Sequence, residues 1–167
     1  TCYGDPDART PNIDALANAG ARFDNACSTY PVCVPFRFTL MTGEYAHTRQ
    51  IPAIEWSMSP AERTLADEFN EAGYQTINIG KWHLDGGDYF GNGICPDGYD
   101  KDYWYDMRCY IKELSQEDRI KSRKESISLV GDGVSEEFTF GHRVSNRALD
   151  YIEKHKDDDM FLCVSYD

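Results

Sequence analysis

A chain of 167 residues that is 41% hydrophobic and 13% aromatic carries enough apolar material for one domain with a buried core, which excludes a disordered polymer. The net charge of −12, from 29 acidic against 17 basic residues, excludes nonspecific nucleic-acid binding through a basic face but leaves room for a small anion held by a few local cations. No run approaches the roughly 18 consecutive apolar residues of a membrane-spanning helix.

The first predicted element is a helix in RTPNIDALANAGARF, with Thr10 as N-cap, Pro11 at the first helical position, Ile13, Leu16 and Ala17 as its apolar face and Gly20 as its stop. ARFDNACSTY then reads as extended and leads into PVCVPFRFTLMTGEYAH, where a helix is expected to open at Pro35 and run to Met41. SPAERTLADEFNEAGY predicts a helix capped by Ser59 in an S-x-x-E box with Glu62, with Leu65, Ala66, Phe69 and Ala72 as its buried stripe and Gly73 as its end. YQTINIG follows as a short β-branched strand, and this helix–turn–strand unit is half of a βαβ repeat, which predicts a parallel sheet.

Residues 85–110 are rich in Gly, Asp and Tyr without a steady period and read as a long loop; IKELSQEDRIKSRKES reads as an exposed helix or flexible excursion. Together they place a loop or insertion at 85–140. HRVSNRALDYIEKHKDDD resumes a helical pattern through Val144, Ala148, Leu149 and Ile152, and MFLCVSY is a continuous apolar run of the kind found in a central parallel strand.

Two clusters carry the chemistry. If Pro35 opens a helix, Cys33 lies at its N-terminal end, where unpaired amides and the dipole favour negative charge, and Arg37 four residues on brings a guanidinium beside it. A helix mouth and a cation together bind an anion or stabilise a developing oxyanion. The same five residues also suit a core cysteine beside a surface arginine. Lys81 and His83 stand just past a predicted strand, at the edge where open α/β sheets bind ligands, and supply a point cation and a proton-transfer group. A solvated lysine and a histidine capping the strand end is the competing reading. The six cysteines contain no C-x-x-C and no zinc-finger spacing, so most are expected to be reduced or buried, which favours a reducing interior, hence the cytoplasm, over the periplasm or secretion.

Cys33-x-Pro35-x-Arg37 followed by TLMTGEYAH resembles the signature of the sulfatase family. TPNIDALANAGARFDNACST resembles the family's approach to that signature, GYQTINIGKWHL its second signature, and RALDYIEKHKDDDMFLCVSYD its later helix and strand. The resemblance implies an α/β alkaline-phosphatase-like sandwich with a mostly parallel central sheet flanked by helices, of which residues 1–167 are a partial N-terminal catalytic domain. It implies a sulfuric ester hydrolase, arylsulfatase-like, in which Cys33 is converted by a maturing enzyme to formylglycine, whose hydrated aldehyde is the nucleophile. One hydroxyl attacks sulfur and the alcohol leaves; the other collapses to the aldehyde and expels sulfate, a release route that a serine lacks. By the same resemblance Arg37 holds the formylglycine, Lys81 the sulfate and leaving oxygen, and His83 the hydrate as proton acceptor, while a divalent cation, calcium in the family, sits against the oxygen at position 33.

Position 36 is Phe where the family usually has a small residue, and Glu44 stands where a basic one is common, a surface difference. The other metal ligands are expected outside this chain, since Asp5 and Asp7 in YGDPD read as a turn, and the 167 residues alone are expected to be inactive. A phosphonate monoester or phosphodiester hydrolase of the same superfamily, and a binding protein on the same fold with Cys33 unmodified, are the alternatives.

Overall fold

Two parallel strands form the centre of the described structure: β1, Gln75–Gly80, and β2, Met160–Ser165, paired in register from Gln75 with Met160 to Gly80 with Ser165. The structure, a computed structural model, describes residues 1–86, 89–122 and 135–166. The helices are α1 (Pro11–Ala19), α2 (Cys33–Thr42), α3 (Leu65–Glu71), α4 (Met107–Glu113), α5 (Gln116–Ser122) and α6 (Phe140–His155), of which α3 and α6 pack directly on the strands.

Strand alternation sorts the core into two layers. Ile77 and Ile79 of β1, with Leu162 and Val164 of β2, pack on Tyr110 of α4 and on Phe140, Val144, Ala148 and Tyr151 of α6. The opposite face carries Thr76, Asn78 and Cys163 toward α2 and α3, where Val34, Phe38, Met41 and Ala66 join Trp82, Leu84, Tyr99 and Trp104. Phe38, Ile77, Ile79, Val144 and Tyr151 are fully buried, and each contributes about 1.5–3 kcal/mol by leaving water. This is the α/β arrangement of parallel strands between helices that the sequence predicts.

Several element details differ from the sequence reading. The helix expected from Ser59 begins a turn later, at Leu65, because the Asp67 carboxylate accepts from the Thr64 amide at 2.7 Å and its hydroxyl at 3.0 Å, while Ser59 is spent on a turn around Ala61 and Glu62. Ala72 is exposed and Gly73, at φ +89°, ends the helix as expected. Asp67→Ala removes the return half of this box and is expected to lower stability by about 1 kcal/mol, read as a shifted urea midpoint at constant slope.

A helix, α4, starts inside the stretch expected to be loop. Buried Asp106 caps it, accepting from the Cys109 amide at 2.8 Å, and Tyr110 packs into the core. Of the charged run 111–126, α5 occupies part and residues 123–126 lie outside the described residues. The buried face of α6 is Phe140, Val144, Ala148 and Tyr151, whereas Leu149 and Ile152 are exposed: Tyr151 stacks on His155, meets Tyr103 edge-on and donates to Gln75 at 2.8 Å, so it turns that side of the helix inward. The face of α1 is exposed too, Ile13 and Leu16 included.

Candidate active site

The C-terminal ends of β1 and β2 meet in a junction that only glycine permits. Gly80 has φ +107°, and a Cβ there would stand 1.9 Å from the Ser165 carbonyl oxygen. That same oxygen accepts from the Lys81 amide at 3.0 Å, and the Gly80 amide donates to Tyr105 O at 2.6 Å. Arg37 closes the junction: Nη1 donates to the Lys81 carbonyl at 2.7 Å and Nη2 to Ser165 Oγ at 2.9 Å. One guanidinium from α2 thus grips both strands at the edge where open α/β sheets bind ligands.

Helix α2 opens at Cys33 rather than at Pro35. Val32 is the extended N-cap, and Pro35 sits in the first turn, where its missing N–H is one of the orphan donors in any case. Val34, Pro35, Phe38 and Met41 are buried and pin the helix, and Gly43, at φ +72°, closes it with its amide on Thr39 O. Cys33 is exposed at the helix mouth, one turn before Arg37 and on the same side. Phe36, at 44% exposure, points its bulk outward, and Glu44 pairs with Arg49 on the surface.

Past β1 the chain alternates: Trp82 and Leu84 enter the core, while Lys81 and His83 lie on the other side, 8% and 7% exposed. His83 has φ +56°, a conformation that a non-glycine residue holds at a cost of order 1 kcal/mol or more and that recurs at functional sites. The two side chains converge on one ring: Lys81 Nζ lies 3.7 Å from the centroid of Tyr89, and His83 meets the same ring edge-on at 5.6 Å. A cavity of about 470 Å³ borders the segment through Trp82, Leu84 and Asp85, but none of Cys33, Arg37, Lys81 or His83 lines it.

The residues singled out in the sequence are brought together in part. Arg37 and Lys81 share the strand junction, Lys81 and His83 share Tyr89, and Cys33 stands one turn ahead of Arg37. Position 33 is exposed at the N-terminus of α2. A metal ion is not provided for in the same way: among the described residues no group of three or more His, Cys, Asp or Glu is placed to hold one. Asp5 uses its carboxylate on the amides of Asp7 and Ala8, the turn expected for YGDPD. All six cysteines are free thiols; burial pushes Cys163 up against the opposing pull of nearby Arg37, and Cys95 up to about 11.

Two contributors escape sequence reasoning: Ser165, the one hydroxyl within β2, and Gly80, which ends the strand before Lys81. A polar residue terminating an apolar strand is a usable signal for the first; the second depends on spatial approach.

The Sulfatase family profile matches residues 1–167. The chain belongs to the sulfatase family. It is 41% identical over 174 residues to the uncharacterized sulfatase YidJ of Escherichia coli, covering 99% of this chain and 34% of that one. It is 37% identical over 174 residues to the ulvan-active sulfatase of Formosa agariphila, covering 96% of this chain and 30% of that one. An N-acetylglucosamine-6-O-sulfatase of Bacteroides thetaiotaomicron is 35% identical over 121 residues, 68% of this chain and 22% of the relative. This sulfatase chain therefore spans about a third of the length of the first two relatives. Among solved structures, the yidJ protein of Bacteroides fragilis superposes with TM-score 0.69 at 24% identity over 99% of this chain and 40% of that one. A protein in complex with its substrate D-glucosamine-2-N,6-O-disulfate superposes with TM-score 0.67 at 23% identity, over 98% of this chain and 30% of that one. Both likenesses establish the sulfatase fold.

Proposed function

We propose that the full-length protein is a sulfuric ester hydrolase acting on sulfated carbohydrates or related esters, with residue 33, matured to formylglycine, as its nucleophile. The observation that carries this reading is the strand-end junction, in which Arg37 is fastened to Lys81 and Ser165 while exposed Cys33 opens the same helix one turn earlier. The match to the sulfatase family over the whole chain supports it, as do relatives named for N-acetylglucosamine-6-O-sulfate and ulvan.

Formylglycine supplies a geminal pair of hydroxyls, one to attack sulfur and one to release sulfate. The chain's own residues set up that chemistry. The α2 N-terminus stabilises negative charge developing near position 33, and Arg37, its guanidinium fixed by two hydrogen bonds, adds a cation that needs no reorganisation. Lys81 offers its ammonium to the sulfate and the leaving oxygen, and His83 accepts and returns the proton of the attacking hydroxyl. Both are nearly buried, which keeps competing water away from the charges they stabilise. Calcium belongs to the same proposal, but the described residues do not make up a ligand set for it.

The test is turnover by the full-length, co-expressed and matured enzyme on paired aryl sulfate and aryl phosphonate esters. Sulfate is expected to be preferred. A strong preference for phosphonate transfers the site to the phosphonate hydrolases of the same superfamily, and no turnover of either ester favours a binding protein.

A further inference from the structure

We propose that Tyr89 is a positioning residue: its ring fixes the Lys81 ammonium, so that the charge is already in place when the leaving oxygen of the ester turns negative. The inference rests on the reading of Lys81 as the cation of that oxygen and adds the residue that aims it. A lysine carries its charge on a flexible four-carbon stem, so an unrestrained ammonium has to be ordered each time it serves one oxygen. Here the ordering is built in. Lys81 Nζ lies 3.7 Å from the centroid of the Tyr89 ring, whereas the other cation–ring pairs among the described residues stand at 5.2–5.8 Å. Lys81 is nearly buried, and a cation is drawn to a ring face most strongly where water is kept away.

The ring is itself held. His83 meets it edge-on at 5.6 Å and Phe90 edge-on at 5.9 Å. The chain just after it is tied down: Asp85 Oδ2 accepts from the Asn92 amide at 2.7 Å, and Asp106 Oδ2 from the Gly93 amide at 2.9 Å. Arg108 donates its amide to the Phe90 carbonyl and its Nε to the Gly91 carbonyl, both at 3.0 Å. Asp106 is buried and caps α4, so these bonds fasten residues 90–93 to a helix of the core. Tyr89 is half exposed, unlike the buried Tyr99, Trp104 and Tyr105, so its ring is not needed to fill that core. The ring takes one side of the ammonium and thereby sets the direction of its remaining N–H bonds. Charge on a departing oxygen is largest for basic alcohols, so a cation aimed in advance matters most for poor leaving groups.

The experiment measures kcat/KM of the full-length matured enzyme for phenyl sulfate and for 4-nitrophenyl sulfate, whose leaving group is far less basic. Tyr89→Leu is expected to lose about tenfold on phenyl sulfate and no more than about twofold on 4-nitrophenyl sulfate. Tyr89→Phe keeps the ring face and is expected to stay within about threefold of the wild type on phenyl sulfate. In a Lys81→Ala background Tyr89→Leu is expected to have no further effect, since the ring then has no ammonium to aim. Because Tyr89 is half exposed, neither of its variants is expected to disturb folding. Equal losses on the two esters overturn the inference, as does a Tyr89→Phe loss as large as that of Tyr89→Leu. A Tyr89→Leu loss that persists undiminished without Lys81 overturns it too. In all three cases sulfate turnover leaves the hydrolase reading standing. If Lys81→Ala turns over both esters at the wild-type rate, the role of Lys81 falls and this inference with it, and a wild type that hydrolyses no sulfate ester overturns the whole reading.

Discussion

Cys33→Ala in the full-length, matured enzyme is expected to remove sulfate-ester turnover by about 10⁴-fold or more while leaving the thermal melting curve in place. The magnitude follows from deleting a covalent nucleophile, whose loss leaves only binding and electrostatic positioning to act. The intact melt follows from position: Cys33 is exposed at the first residue of α2, and the helix is held by buried Val34, Pro35, Phe38 and Met41. Retained turnover overturns the nucleophile assignment. A companion measurement needs no substrate. Trypsin releases residues 23–37 as one peptide carrying both Cys27 and Cys33. Both thiols are exposed, so an unmatured protein takes up two alkyl groups and a matured one takes up a single group, on Cys27. Two alkylations in protein made together with a maturing enzyme argue for the binding-protein alternative.

Gly80→Ala carries the second large effect, this time on the fold. The added Cβ meets the Ser165 carbonyl oxygen at 1.9 Å and its carbon at 2.8 Å, and φ +107° is closed to an L side chain. Both obstacles involve backbone, so no side chain can swing aside to relieve them. Strain and overpacking together are expected to cost about 3–5 kcal/mol, measured by urea unfolding of the full-length protein. Residual folded protein is also expected to be impaired in catalysis, because separating the strands breaks the hydrogen bond that the Lys81 amide donates to the Ser165 carbonyl and moves the carbonyl that Arg37 holds. Gly43→Ala is the control: φ there is +72°, but nothing lies within 4 Å of its Cβ, and only the conformational cost of about 1 kcal/mol is expected. If Gly80→Ala is no more damaging than Gly43→Ala, the close approach of the two strands is not what glycine 80 is for.

How far the sequence reached depends on whether a signal was local. β1 and β2 were legible because unbroken β-branched or apolar runs bounded by Gly and Asp have few other uses. The start of α3 was misplaced because two capping boxes compete within nine residues, Ser59 with Glu62 and Thr64 with Asp67, and local chemistry does not rank them. Helix α4 did carry a signal: Met107, Tyr110, Ile111 and Leu114 fall at helical spacing behind the Asp106 cap, obscured by the Gly- and Asp-rich loop before them. In α6 the period was right but the face was rotated, since tyrosine counts as polar or apolar according to whether its hydroxyl finds a partner, and Gln75 provides one.

The sequence by itself determined the α/β class, a helix start close to Cys33 and the identity of the candidate cations, since each is written in neighbouring residues whose chemistry does not depend on distant ones. Only the tertiary structure decided what those residues touch. Arg37 reaches across 44 and 128 residues to Lys81 and Ser165, and Tyr89 folds back over Lys81 and His83. Such partners are selected by the parallel pairing of β1 with β2, which brings two remote strand ends to one point, and no local pattern encodes which carbonyl or ring will be waiting there.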